Sequence, residues 1–266
     1  MNEDRTNQTR AHVESFNNQE LKTVYDEEGK IIRVEKNISG LNEGKHSKFA
    51  PIIDHTLLKA DATAEQIDKL CREALEYGFG AVCVNSYWVK RCREALQGSP
   101  VKVASVVGFP LGAMSKKAKR EETEKAVKDG AVEIDMVINI GELKAGNLLA
   151  VARDINGVVR EAHKAGAIVK VIIETCLLTE EEKINACLIS KEAGADFVKT
   201  STGFSTGGAT VEDVALMRAV VGESMGVKAS GGIRNYADAV RMVEAGASRI
   251  GASSGIAIVE EEIKQA

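Results

Sequence analysis

The sequence predicts an α/β protein, a (β/α)8 TIM barrel with a short N-terminal extension, and three observations carry the prediction. From residue 49 onward one pattern repeats: a short β-branched apolar run, a loop with Gly, Ser or Thr, then an alanine-rich amphipathic helix. Five helical patterns end in a matched stop, at Gly78, Gly130, Gly166, Gly194 and Gly246, where glycine accepts the left-handed conformation just past a helix. Eight such units fill residues 50–266, and strands alternating with helices require a parallel sheet covered on its faces. Eight units favour closure over an open doubly wound sheet. The GxGxxG fingerprint of the open sheet is missing, because the first strand runs into Asp54-His55-Thr56-Leu57-Leu58.

Taken in order, residues 1–46 are polar, rich in Asn, Glu, Lys and Arg, and form an extension to the barrel domain of 47–266. Within them, β-prone runs at 23–25 and 31–34 flank Asp26-Glu27-Glu28-Gly29, a hairpin signal. The extension reads either as this small hairpin or as a disordered leader. Barrel strands are expected at 52–54, 81–84, 102–107, 133–138, 168–174, 197–200, 227–230 and 249–251. Helices are expected at 64–77, 87–96, 116–128, 147–164, 179–193, 211–221, 236–245 and 255–264.

Composition narrows the function. Hydrophobic residues at 44% and charged residues at 28% give a large core and exclude a disordered or collagen-like chain. No apolar run approaches the roughly 18 residues of a membrane span, and no secretory signal opens the chain. A net charge of −4 argues against nucleic acid and for small-molecule partners. Five cysteines without CxxC spacing and four scattered histidines make a disulfide framework and a metal site unexpected, and a reducing cytoplasm fits. The 24 glycines against three prolines must do most of the turning.

Barrel chemistry gathers at the C-terminal ends of the strands. Two of those ends are lysines on consecutive units, Lys199 and Lys228. A single strand-end lysine reads equally well as a cap paired with Glu133 or Asp135. Two on neighbouring strands shift the balance, since like charges at that range push one pKa down and a neutral amine attacks carbonyl carbon. Asp135 shares a strand face with Glu133 and is placed for proton transfer, with Glu133 deeper; Lys170 is an interior partner, too low to be the nucleophile. Either Lys199 or Lys228 can be the attacking amine on this reading. Cys83, Trp88, His55 and His163 read as packing or surface residues.

A second constellation points to phosphate. Thr200-Ser201-Thr202-Gly203 with Phe204 to Gly208 follows strand six, Ser230-Gly231-Gly232 follows strand seven, and Ala252-Ser253-Ser254-Gly255 opens the last helix. Small residues let amides approach an anion, hydroxyls add donors, and the helix N-terminus adds its dipole.

The segments Asp54-His55-Thr56-Leu57-Leu58, Val107-Gly108-Phe109-Pro110-Leu111-Gly112, Glu133-Ile134-Asp135-Met136-Val137, Phe197-Val198-Lys199-Thr200-Ser201-Thr202-Gly203 and Val227-Lys228-Ala229-Ser230-Gly231-Gly232-Ile233-Arg234 resemble the deoxyribose-phosphate aldolase family. The resemblance runs in order from about residue 49 to the C-terminus. It implies reversible cleavage of 2-deoxy-D-ribose 5-phosphate to acetaldehyde and D-glyceraldehyde 3-phosphate, without metal or cofactor. It places the Schiff-base lysine at Lys199, the second lysine at Lys228 and the acid–base group at Asp135. Asp54 lines the site, and Thr202, Gly203, Gly231, Gly232, Ser253 and Ser254 bind substrate and phosphate, with Arg234 a weaker candidate. Some members carry a lysine after Lys-Thr-Ser-Thr-Gly, where this chain has Phe204, so that contact does not carry over. Another lysine-type lyase on a different phosphorylated aldehyde or keto acid, a noncatalytic phosphosugar-binding protein, and assembly into a homo-oligomer remain open.

Overall fold

The computed structural model describes residues 47–265 and, before them, the backbone of residues 10–16, 19–25 and 31–37. The chain divides into two compact units, residues 1–46 and 47–266. In the first, β1 (Arg10–Phe16), β2 (Gln19–Tyr25) and β3 (Ile31–Asn37) form an antiparallel sheet in the order β1-β2-β3. The runs at 23–25 and 31–34 fall in β2 and β3, which pair antiparallel with an irregularity at Val24/Tyr25; the intervening Asp26 to Lys30 lie outside the described residues. Sequence reasoning passed over β1. Asn17-Asn18, standing between two polar-alternating runs, was its available signal, since asparagine tolerates the left-handed turns of two-residue hairpins.

The second unit is a closed parallel barrel in the order β10-β11-β4-β5-β6-β7-β8-β9. Its strands are β4 (Ile53–Leu57), β5 (Ala81–Val84), β6 (Lys102–Val107), β7 (Glu133–Val137), β8 (Ile168–Ile172), β9 (Phe197–Lys199), β10 (Gly226–Ser230) and β11 (Arg249–Ala252). Around them run α1 (Ala64–Tyr77), α2 (Val89–Ala95), α3 (Lys116–Lys128), α4 (Ile140–Lys144), α5 (Leu148–Lys164), α6 (Glu180–Glu192), α7 (Val211–Val221), α8 (Tyr236–Glu244) and α9 (Gly255–Gln265). Short α4 was not expected; Asn139 starts it by accepting a hydrogen bond from the Glu142 amide.

Side-chain alternation sorts the strands into two faces. Outward residues such as Val82, Val103, Ile134, Met136, Val169, Val171, Val198, Val227 and Ile250 pack with the helices in the main core. Inside, Leu58, Cys83, Ala104 and Val106 form a small apolar cluster on one side of the barrel, with Phe109 against it. The other side is occupied by charge. Helix starts follow local chemistry: Thr63 with Gln66 and Thr179 with Glu182 form capping boxes on α1 and α6, and Ser115, Asn147, Thr210 and Asn235 cap α3, α5, α7 and α8. The five expected stop glycines all have positive φ.

Gly112 has φ +68°, its amide donates to the Gly108 carbonyl at 2.7 Å, and an added Cβ would stand 1.8 Å from the Ile138 carbonyl oxygen. Gly78 has φ +71° with nothing within 4 Å of a Cβ. Gly112→Ala is expected to cost about 3 kcal/mol or more, from strain plus a backbone clash, against about 1 kcal/mol for Gly78→Ala from strain alone. Urea unfolding of the two variants checks this; equal costs would show that the loop after β6 yields freely.

Candidate active site

The inward faces of β4, β7, β8, β9, β10 and β11 place seven charged side chains in one network. Lys199 donates to Asp135 Oδ2 at 2.9 Å, and Lys228 donates to the same oxygen at 2.7 Å and to Asp54 Oδ2. Lys170 donates to Asp135 Oδ1 at 2.8 Å and to Glu133, and lies 3.5 Å from Asp54 Oδ2. Arg249 reaches Asp54 Oδ1 at 2.8 Å and Glu133 Oε1 at 3.3 Å. Adjacent registers bring these groups together, with Lys228 beside Lys199 on one side and Arg249 on the other, and Asp135 beside Lys170.

The two strand-end lysines do not face each other bare, because both donate to Asp135 Oδ2. Burial by itself lowers the Lys228 pKa, yet Asp135 and Asp54 outweigh it and hold the ammonium above its ordinary range. Lys170 behaves the same way, with burial overcome by Asp135, Asp54 and Glu133. Burial raises Asp54 and Asp135, and the surrounding cations reverse this, so both carboxyls sit well below the usual carboxylate range. Cys83, 3.9 Å from Asp135 Oδ2, is pushed up to about 11, first by burial and then by that carboxylate. It is a packed thiol, as its strand alternation suggested.

What distinguishes Lys199 is how little holds it. Lys170 touches three carboxylates and Lys228 two, both at zero exposure, whereas Lys199 has one carboxylate partner and the highest exposure of the three at 3%. Inside the barrel the network carries four cations, Lys170, Lys199, Lys228 and Arg249, over three carboxylates, Asp54, Glu133 and Asp135, with the exposed Lys102 4.0 Å from Glu133 Oε1 at its edge. A lysine that reacts as the free amine leaves three against three. Asp54, expected to line the substrate site, is fully buried with both oxygens engaged. Arg249 was not anticipated, because no sequence spacing links residues 54 and 249.

The loops after β9, β10 and β11 lie beside this network. Thr200 accepts from the Ser230 amide and donates to the Ser230 carbonyl, and Ser230 Oγ donates to the Ser201 carbonyl at 2.6 Å, lacing two loops together. Gly231 has φ +84°, and a Cβ there would lie 3.1 Å from Gly208 Cα. Among the described residues, no backbone carbonyl receives the amides of Gly203, Gly231, Gly232, Ser253 or Ser254. Unspent amides from neighbouring loops, with the N-terminus of α9, are the donor set that an anion needs. The Thr202 hydroxyl instead donates to the buried Glu174 carboxylate, and Arg234 is exposed. Phe204 packs edge-on against Phe109 at 5.3 Å, forming an apolar lip.

Asp54, with its carboxyl held low, contributes stability that is present above the unfolded value of about 3.9 and is lost as pH falls toward its folded value. Asp54→Asn is expected to cost about 3–5 kcal/mol at pH 7 by leaving buried cations underpaired, and to flatten the decline in stability below about pH 4. Urea unfolding across acidic pH reads both; an unchanged acid limb would contradict the network.

With the geometry in place, three comparisons agree. The family model described as DeoC/LacD family aldolase matches residues 49–261. A deoxyribose-phosphate aldolase of Streptococcus gordonii is 62% identical over 81% of this chain and 97% of its own length, and one of Thermococcus gammatolerans is 66% identical over 80% and 95%. Among solved structures, a putative deoxyribose-phosphate aldolase from Coccidioides immitis superposes with a TM-score of 0.78 at 49% identity, covering 80% of this chain and 85% of that one. The tetrameric deoxyribose phosphate aldolase from Aeropyrum pernix gives 0.76 at 38%, covering 82% and 92%. From residue 49 to residue 261 the chain is a member of the DeoC/LacD family of aldolases.

Proposed function

We propose that the protein is a deoxyribose-phosphate aldolase that reversibly cleaves 2-deoxy-D-ribose 5-phosphate to acetaldehyde and D-glyceraldehyde 3-phosphate through a Schiff base at Lys199. The observation that carries the reading is Lys199 standing on Asp135 beside Lys228, next to loops whose amides are unspent. The relatives named for this activity, at about 60% identity over nearly their whole length, support the substrate.

The free amine of Lys199 attacks C1 of the open-chain aldehyde, and the carbinolamine hydroxyl leaves as water once protonated. The iminium left at C1 is the electron sink. A base takes the C3 hydroxyl proton, with Asp135 and Lys228 relaying protons through a water; the C2–C3 bond breaks, and its electron pair moves into the C1–N system to give an enamine and release D-glyceraldehyde 3-phosphate. Protonation of the enamine at C2 and hydrolysis free acetaldehyde and restore the amine. Lys228, held charged by Asp135 and Asp54, is the proton donor beside these steps. Gly203, Gly231, Gly232, Ser253 and Ser254 grip the phosphate, which converts binding energy remote from C1 into orientation at the amine.

No helix among the described residues is long and apolar enough to cross a membrane. A cytoplasmic setting and assembly with further copies of the chain complete the reading, in keeping with the tetrameric relative.

Lys199→Leu is expected to abolish release of acetaldehyde from the sugar phosphate while the circular dichroism spectrum stays native, and Asp135→Asn to lower kcat by about 10²- to 10⁴-fold. A coupled assay over a panel of phosphorylated aldehydes and keto acids checks both. Turnover retained by Lys199→Leu, or preference for another member of the panel, would overturn the proposal.

A further inference from the structure

Glu174 is the one non-glycine residue with positive φ among the described residues, at φ 57° and ψ 64°. This conformation costs an L-residue about 1–2 kcal/mol, and such strain persists only where the surroundings impose it. The strand β8 has ended at Ile172, yet the backbone stays tied to the segment at the end of β9. Ile173 donates to the Lys199 carbonyl and Thr175 to the Thr200 carbonyl, each at 3.0 Å, so the left-handed turn falls between two hydrogen bonds to the β9 segment. The turn carries the chain from the end of β8 into the single helical turn Thr175–Leu177, and it fixes the direction of the Glu174 side chain.

That side chain is a carboxylate at 2% exposure, and no cation pairs with it among the described residues. Its Oε2 accepts from the Thr202 hydroxyl at 2.5 Å, and its Oε1 accepts from the Thr202 amide at 3.2 Å and lies 3.9 Å from Cys176 Sγ. The Thr202 hydroxyl in turn accepts from the Phe204 amide at 3.1 Å. The amides on both sides of Gly203 are thus consumed inside the protein, and the Gly203 amide between them is free on an exposed residue. A buried carboxylate without a counter-ion is costly, and here it is satisfied by Thr202 together with the Cys176 thiol.

We propose that Glu174 is a positioning residue whose carboxylate clamps Thr202 and so turns the Gly203 amide outward to the substrate's phosphate. The inference rests on the sugar-phosphate reading above. It assigns Thr202 to holding the loop, through Glu174, and leaves the anion to the amide beside it.

Two variants separate positioning from mere support of the fold. Glu174→Gln keeps the shape but puts an amide donor against the Thr202 donors; Glu174→Gly removes the carboxylate and also relieves the backbone strain. Both are compared with wild type on 2-deoxyribose 5-phosphate, on unphosphorylated 2-deoxyribose, and in borohydride trapping with acetaldehyde. The expected result is a KM for the phosphorylated sugar raised about 10- to 100-fold, the loss of one hydrogen bond to a charged group. With it, kcat on the phosphorylated sugar should fall by a smaller factor as remote binding energy is lost, and the unphosphorylated substrate and the trapping yield should be unaltered. Variants that lose both substrates equally, or neither, overturn the inference while an active wild type leaves the aldolase reading standing. A wild type that traps no acetaldehyde overturns the aldolase reading and this inference together.

Discussion

Inside the barrel, four cationic side chains share three carboxylates in a space that water scarcely enters, and the other features of the site follow from that imbalance. Each buried charge is tolerable only because another stands within hydrogen-bond reach. Asp135 is the hinge of the arrangement: one of its oxygens takes Lys170, and the other takes Lys199 and Lys228 together. Lys170 and Lys228 are each bound to more than one acid, which favours their charged forms in the resting site. Lys199 is left with a single partner and a small opening to the outside, the position from which an amine can reach a carbonyl carbon.

The loops extend the same economy of donors outward. Where the interior leaves a positive surplus, the mouth presents amide groups that no protein carbonyl uses, so both ends of a phosphorylated aldehyde meet a complementary partner. The lip formed by Phe109 and Phe204 stands where some relatives have a lysine after the Lys-Thr-Ser-Thr-Gly run. On the proposed reading the anion is held by backbone donors without that side-chain charge, and backbone donors depend on the loop keeping its shape. Glu174, delivered by a strained backbone and satisfied only by Thr202 and Cys176, is the piece of the fold that meets this requirement.

The barrel was legible because its signals are local. Repeated β-branched runs, capping residues such as Thr63 and Thr179, and stop glycines such as Gly78 and Gly194 each act within a few residues, and they recur along the barrel, with α2 lacking a side-chain cap. The boundaries that shifted did so for equally local reasons: the strand expected to run to residue 174 ends at Ile172 as the chain approaches left-handed Glu174. Among the site residues, Lys199, Lys228 and Asp135 were visible as charges on otherwise apolar strands. Their partners were not. Asp54 with Arg249, and Thr202 with Glu174, meet only after closure brings distant segments together, and no spacing encodes that meeting. The carboxylate that Lys199 and Lys228 share was hidden for the same reason, since strand spacing shows two neighbouring ammoniums and not the acid between them.

The claim that one amine of this network does the chemistry is tested most directly by reducing the imine in place. Borohydride treatment in the presence of acetaldehyde, followed by peptide mass mapping, is expected to give one stable adduct at Lys199, with Lys170 and Lys228 unmodified. An adduct centred on Lys228, on Lys170 or on surface lysines, or none at all, would contradict the account.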